Sequence, residues 1–260
     1  MRQTREQTAA FRSIGIMGPS AVGKEEIAVD YLAPALRMIV VNTGKVARGA
    51  ALMADRLGQF EEGRGGALRL RDGAESRIRD WALPNGRRGF HFVVSPPDRS
   101  AHIFFGDADL TDALHPAAEG FRQQKIMEPA AALLAANPTI HRGFLDLWRR
   151  TAIELGGAVM VTKRIDEYLP QAHAKYYLSV TDPQVSAGYR IARGVSATGS
   201  FEDELEYLKR RDQLHADNGL DVVPPDALRI DMTELLNKPS GMRKAADIVL
   251  TDLVEKGRAR

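Results

Sequence analysis

The residues with the clearest chemistry in this 260-residue chain form a glycine-bounded loop near its amino terminus. The segment Gly18-Pro19-Ser20-Ala21-Val22-Gly23-Lys24 fits the pattern GxxxxGK and lies between a short apolar run and a segment with helical spacing. Glycines let such a loop curl until successive backbone N–H groups point at phosphate oxygens, and the amino end of the following helix adds partial positive charge. The loop therefore predicts a site for the phosphates of a nucleotide, with Lys24 reaching the β- and γ-phosphates.

The two residues after this lysine depart from the usual continuation of the motif. A Ser or Thr hydroxyl normally follows and holds Mg²⁺, whereas Glu25 and Glu26 stand here. Three interpretations stay open. The carboxylates complement the helix dipole, or one of them replaces the hydroxyl as a Mg²⁺ ligand, or they weaken the binding of a triphosphate by repulsion.

Composition limits the other kinds of chemistry. The 36 Lys and Arg residues against 34 Asp and Glu leave a net charge of +2, too balanced for a non-specific binder of nucleic-acid polymers. The chain has no cysteine, which excludes thiolate catalysis and Cys-ligated zinc and favours a reducing compartment. With no apolar run near the roughly 20 residues that span a bilayer and no signal-peptide pattern, we expect a cytoplasmic protein without a membrane partner.

The elements that would hold the loop alternate along the chain. Near-continuous apolar runs at 38–43, 158–162, 174–180 and 227–232 predict strands buried on both faces, in addition to the strand before the loop. Segments with helical patterning separate them, at 109–136, 140–155, 182–193, 201–217 and 240–256, and Asn137-Pro138 is a turn signal between the first two. This alternation predicts an α/β fold with a doubly wound parallel sheet and helices on both faces.

Two parts of the chain depart from that alternation. Residues 1–12 are polar and carry no period, so we expect a disordered tail. Residues 89–95 and 100–107 predict two strands around a turn. A hairpin within an alternating chain indicates a small inserted subdomain at 58–107, which would divide a core made of residues 13–57 and 108–257.

In order along the chain, these motifs resemble those of the nucleoside monophosphate kinases, most closely the bacterial cytidylate kinase family. The loop is similar to the family's GPSGAGK, and NTGKVAR at 42–48 is similar to its D-[ST]-G-x-x-Y-R. Three later segments, at 104–115, 136–150 and 230–235, resemble further family motifs, and the resemblance covers roughly residues 13–256.

The resemblance implies transfer of a phosphoryl group from ATP, with Mg²⁺, to a nucleoside monophosphate, with CMP, dCMP or a modified pyrimidine nucleotide favoured. In such a protein the inserted subdomain binds the monophosphate, and a helical lid, here at about 186–200, closes over the phosphates. Catalysis depends on positioning and on cations that stabilise the transferring group.

The resemblance also assigns residues to roles. The donor phosphates fall to Gly18, Pro19, Ser20, Ala21, Val22, Gly23, Lys24, Glu25 and Glu26, the metal to Glu25 or Glu26, catalysis to Lys24, Arg190, Arg211 and Asp212, and the acceptor to Thr43, Gly44, Arg48, Arg142, Arg164 and Asp166.

The positions that would read the base differ most from the family. Residues 163–166 (KRID) stand where the family has G-R-D, and QLHA at 213–216 replaces an Asp-Arg-Asp-Arg run. Thr162 stands where an acid often ends the preceding strand, and Asn42 and Ala47 replace the family's Asp and Tyr. Two further hypotheses therefore stay open: a catalytically lapsed nucleotide-binding protein on the same fold, and a P-loop kinase of a small non-nucleotide metabolite. We expect a monomer.

Overall fold

The computed structural model of the protein describes residues 12–63, 68–83, 89–94, 101–111, 114, 121–194, 196, 200–219, 222–255 and 257. The tail predicted for residues 1–12 therefore lies almost entirely outside the described residues. The strands are β1 (Ile14–Met17), β2 (Ile39–Asn42), β3 (Phe60–Glu62), β4 (Leu68–Leu70), β5 (Phe90–Val94), β6 (Ala101–Phe105), β7 (Ala108–Asp109), β8 (Ala158–Val161), β9 (Ala174–Ser179) and β10 (Leu228–Asp231).

Helices connect these strands. The first, α1, runs through Lys24–Glu26, a π-helical stretch Ile27–Leu32 and Ala33–Leu36. The others are α2 (Thr43–Arg56), α3 (Ala74–Asp80), α4 (Phe121–Ala136), α5 (Pro138–Glu154), α6 (Ile165–Tyr168), α7 (Pro183–Ala192), α8 (Phe201–Asp217) and α9 (Gly241–Glu255).

A parallel sheet of five strands in the order β10-β9-β1-β8-β2 forms the centre of the protein. Each of the four later strands lies within the apolar run that predicted it. Successive side chains of a strand point to opposite faces, so a strand buried on both faces needs apolar residues at every position. The sheet and its flanking helices confirm the predicted α/β class.

Two hydrophobic clusters show that both faces of the sheet are covered. Ile14 and Ile16 of β1 pack on one face with residues of α1 and α9. Met17 of β1 and Met160 of β8 lie in the other cluster, with residues of α2, α4 and α5. This alternation within single strands is the arrangement expected of a doubly wound sheet.

The helix boundaries follow local chemistry. Asn137 caps α5 because its side chain accepts hydrogen bonds from the backbone N–H groups of Thr139 and Ile140, at 3.0 and 3.1 Å. Pro138 then occupies the first turn, where its missing N–H costs nothing. The helix predicted over 109–136 is shorter than expected: Asp109 belongs to strand β7, and α4 begins at Phe121.

The segment between α2 and α4 contains two small antiparallel sheets, β3-β4 and β5-β6-β7, which confirms the predicted hairpin. Residues 64–67, 84–88 and 95–100 of this segment lie outside the described residues. Phe90, Ile103 and Phe105 pack in the same cluster as α2 and α5. The hairpin therefore shares its core with one face of the central sheet, and the boundaries 58 and 107 stay predictions.

The connections of the central sheet open a crevice at one edge. Strands β1 and β8 are neighbours and run parallel. The helix after β1 packs on one face of the sheet, whereas α6, which follows β8, packs on the other. Where consecutive connections leave in opposite directions, a crevice forms beyond the carboxyl ends of the strands, and ligands bind there in open α/β sheets. Among the described residues, no helix is long and apolar enough to cross a membrane.

Candidate functional site

A cleft of about 550 Å³ lies in that crevice. Its walls come from the loop after β1, the start of α2, the residues that follow β8, and the facing sides of α7 and α8. Seven cationic and three acidic side chains line it, a formal excess of four positive charges. The cations are Lys24, Lys45, Arg48, Lys163, Arg190, Arg193 and Arg211; the acids are Glu25, Glu26 and Asp30. A cleft with this charge and low-dielectric walls attracts anionic ligands.

The loop after β1 curls because three of its residues adopt left-handed backbone conformations. The φ angles are +139° at Gly18, +60° at Ala21 and +77° at Gly23. A Cβ atom at Gly18 would lie 2.1 Å from the carbonyl oxygen of Leu178, so no other residue fits at this position. The Nζ atom of Lys24 donates to the carbonyl oxygens of Gly18, at 2.9 Å, and Pro19. Of the predicted loop residues, Ser20 to Glu26 thus line the cleft, whereas Gly18 and Pro19 do not.

The amino end of α2 faces the loop across the cleft. Asn42 caps this helix by accepting from the backbone N–H of Lys45 at 3.2 Å. Thr43 is buried, and its hydroxyl donates to the carbonyl oxygen of Val161 at 3.3 Å, which ties α2 to the end of β8. Three predicted acceptor residues, Thr43, Gly44 and Arg48, line the cleft at this helix end. Helix amino ends and arginines together favour an anionic group here.

Four cations converge around a buried histidine at this end of the cleft. His215 of α8 is 9% exposed, and its Nδ1 atom lies 2.7 Å from the Nζ atom of Lys163. Burial, followed by the charges of Lys163, Arg211, Lys24 and Arg48, lowers the pKa of His215 to about 2. The imidazole is therefore neutral at physiological pH and accepts a hydrogen bond from the Lys163 ammonium group.

Asp212 joins this cationic group to the loop. Its Oδ1 atom accepts from the backbone N–H of Ser20 at 3.1 Å and lies 3.8 Å from the Nζ atom of Lys163. This carboxylate therefore holds the loop against α8 and offsets part of the positive charge. Asp212, assigned to catalysis by the resemblance, contacts the loop through a backbone amide and does not line the cleft.

Glu25 and Glu26 bind different partners. Glu25 forms an ion pair with Lys45 and accepts from the side chain of Asn42 at 3.2 Å. Glu26 accepts from the Tyr189 hydroxyl and pairs with Arg193 at 2.8 Å. Burial, together with the charge of Glu26, raises the pKa of nearby Asp30. Within the described part of the chain, no group of three or more His, Cys, Asp or Glu side chains could hold a metal ion.

The wall formed by α7 and α8 carries two of the predicted catalytic arginines. Arg190 lines the cleft, its Nε atom donates to Glu204 at 2.5 Å, and its guanidinium carbon lies 5.9 Å from the centre of the Tyr207 ring. Arg211, one turn beyond Tyr207 on α8, also lines the cleft. The predicted lid at 186–200 corresponds to the second half of α7 and the connection to α8, of which residues 195 and 197–199 lie outside the described residues.

Another part of the cleft, next to Thr43, is aromatic and apolar. The rings of Trp148 and Tyr168 lie 4.6 Å apart and are both buried, and His141 lies beside Tyr168. Burial raises the pKa of Tyr168 to about 12, so its hydroxyl stays protonated. Leu114 and three alanines of α4 also line the cleft. An apolar pocket with a few polar groups suits an uncharged ring or hydrocarbon part of a ligand.

Three predicted acceptor residues do not line the cleft. Arg142 is exposed on the outer side of α5. Arg164 donates to Glu167 and to the carbonyl oxygens of Asn218 and Gly219. Asp166 pairs with Lys175 of β9.

In their place, the neighbouring residues Lys163 and His141 line the cleft, both one position earlier along the chain than a predicted arginine. No role was predicted for these two residues, nor for His215 or Tyr168. Lys163 and His141 could have been predicted from the motifs, since each is next to a predicted residue in the sequence. No sequence pattern indicated that His215 and Tyr168 belong to the site, because their burial depends on how α8 and α6 pack.

Neither a comparison with models of known protein families nor a search of curated protein sequences finds a match to this chain.

Proposed function

We propose that this protein transfers a phosphoryl group from ATP to a nucleoside monophosphate. The observation that carries the proposal is the convergence of Lys24, Arg48, Lys163 and Arg211 beside a curled, glycine-dependent loop in one cleft. Converging cations and backbone N–H groups stabilise the charge of a transferring phosphoryl group, and positioning supplies most of the remaining catalysis. The loop would hold the donor phosphates as a P-loop does, with Lys24 leaving its carbonyl partners for phosphate oxygens.

Two neighbouring parts of the cleft fit the phosphate and the base of a nucleoside monophosphate. Thr43, Gly44 and Arg48 at the amino end of α2 would hold the phosphate of the acceptor, next to the loop. The aromatic part at Trp148 and Tyr168 would receive its base, since planar rings stack on aromatic side chains. Lys163 replaces Arg164 in this proposal, and His141 replaces Arg142, because these residues line the cleft.

The donor set also fits Mg²⁺ bound jointly with phosphates. Mg²⁺ prefers hard oxygen ligands and is often held by one or two carboxylates together with phosphate oxygens. Glu25 or Glu26 would supply that carboxylate by releasing Lys45 or Arg193. When bound, the ion would neutralise charge on the donor phosphates.

The engagement of both glutamates favours a second candidate, a nucleotide-binding protein that has lost catalysis. Glu25 is paired with Lys45, and Glu26 is held by Tyr189 and Arg193. If these pairs persist with nucleotide bound, neither carboxylate reaches a metal, and binding would occur without transfer.

A coupled assay of ADP release tests both candidates. The full chain is mixed with ATP and Mg²⁺ and with CMP, dCMP, UMP, dTMP, AMP, GMP or a panel of small hydroxylated metabolites. Turnover with a nucleotide, abolished in K24M and retained in the surface variant K244M, supports the proposal. ATP binding without turnover on any acceptor supports the second candidate, and turnover with a metabolite alone contradicts both.

A further inference from the structure

A buried carboxylate behind the cleft has no part in the function proposed above. Glu204 lies in the first turn of α8 and has no exposed surface, whereas Glu202 and Asp203 in the same turn are exposed. Burying an ionised carboxylate is costly unless charged or hydrogen-bonding partners compensate. The identity of those partners therefore indicates what this residue does.

Both oxygens of Glu204 have partners on the neighbouring helix and its connection. Oε1 accepts from Nε of Arg190 at 2.5 Å, and Oε2 accepts from the Ser196 hydroxyl at 2.7 Å. The amino end of α8 adds favourable partial positive charge at the first turn. One carboxylate thus joins α7, the connection after it and α8.

The pair fixes how Arg190 approaches the cleft. The guanidinium group carries five N–H donors in a rigid plane, and the bond to Glu204 uses the one on Nε. The Tyr207 ring, 5.9 Å from the guanidinium carbon, lies against the same group. Because Arg190 lines the cleft, the donors on its two terminal nitrogens are the ones suited to a ligand. Charge-assisted bonds from a planar arginine to phosphate depend strongly on that orientation.

We propose that Glu204 is a positioning residue, which holds Arg190 so that its terminal N–H groups meet the polyphosphate in the cleft. The inference rests on the proposed function in that it takes the ligand of the cleft to be a polyphosphate. Glu204 itself contacts no ligand and acts through Arg190.

A double-mutant cycle on the full chain separates this role from a contribution to stability alone. The affinity for inorganic tripolyphosphate is measured by calorimetric titration for the wild type, E204Q, R190M and E204Q/R190M. Glutamine keeps the size of the side chain and removes its charge. We expect E204Q to weaken binding about tenfold in the wild-type background and by no more than about twofold in the R190M background. The effect of E204Q is lost in R190M because Glu204 acts on the ligand only through Arg190.

The control variant is E206Q, on an exposed residue of the same helix that pairs with Arg210 at 2.8 Å. It should bind tripolyphosphate as the wild type does. Thermal unfolding of every variant confirms that it is folded at the assay temperature, and R190Q replaces R190M if that variant is not. Equal weakening by E204Q in both backgrounds, or no weakening in either, overturns the inference.

The outcomes also separate the inference from the proposed function. Coupling between E204Q and R190M in a protein that phosphorylates no nucleotide keeps the positioning role and removes the proposed function. Nucleotide turnover with additive effects of the two substitutions does the reverse. A wild-type chain that binds no tripolyphosphate overturns both.

Discussion

Acidification should destabilise this protein through the buried histidine His215. His215 is held neutral by burial and by four surrounding cations, with its pKa lowered to about 2. In the unfolded chain the same side chain takes up a proton near its ordinary pKa of 6.5. Below that pH the unfolded state therefore binds more protons than the folded state. The free energy of unfolding is unaffected by His215 above about pH 6.5 and decreases as the pH falls below it.

The magnitude follows from the interval between the pH and the ordinary pKa, because the pKa in the folded state lies well below both pH values. At pH 5.0 the medium lies about 1.5 units below the ordinary value, and each unit is worth about 1.4 kcal/mol. His215 should thus remove about 2 kcal/mol of the free energy of unfolding between pH 7.5 and pH 5.0. Such a loss is a sizeable fraction of the stability of an ordinary domain.

Urea denaturation of the wild type and H215N at the two pH values measures this contribution. The asparagine side chain carries an oxygen that can accept from Lys163, and it does not titrate. H215N should lose about 2 kcal/mol less than the wild type between pH 7.5 and pH 5.0. H91N, which alters an exposed histidine of β5, is the matched control and should follow the wild type. Identical losses in the wild type and H215N would show that His215 is not kept neutral, and would refute the cation cluster as described.

Three other substitutions test separate parts of the structure. G18A should cost about 3 kcal/mol or more of stability in a denaturant titration, because its Cβ would meet a backbone carbonyl of β9. The control G188A, whose Cβ has nothing closer than 3.9 Å, should cost no more than about 0.5 kcal/mol. E25Q or E26Q should weaken ATP binding about tenfold in Mg²⁺ and leave metal-free binding within about twofold, if either carboxylate holds the ion; equal effects in both media contradict the ligand role. N137A should lower the unfolding free energy by about 1 kcal/mol through loss of the α5 cap, and an unchanged midpoint would contradict it.

Much of the central architecture was predictable because it depends on local patterns. Four apolar runs placed strands β2, β8, β9 and β10, and the strand before the loop was β1. Helical spacing placed α8 at the residues predicted, 201–217. The chain around 109 was misassigned because a two-residue strand, β7, has no periodic signal of its own.

The site was predictable where it is local and unpredictable where it depends on packing. Lys24 follows its glycines along the chain, so its place in the cleft could be foreseen. Arg164 could not be excluded beforehand, since its partners, the carbonyl oxygens of Asn218 and Gly219, lie more than fifty residues away. The short helix α6 begins directly after it and turns this arginine away, while Lys163 enters the cleft.

The order of residue types alone predicts alternating strands and helices and a curled, glycine-dependent loop before a lysine. Those properties arise from neighbours in sequence, through backbone conformation and side-chain period. The packing of α7 and α8 against the crevice decided which cations share the cleft. The same packing buried Glu204 and His215 beside those cations. Charge and burial act through space, and distances in space are fixed by the tertiary structure.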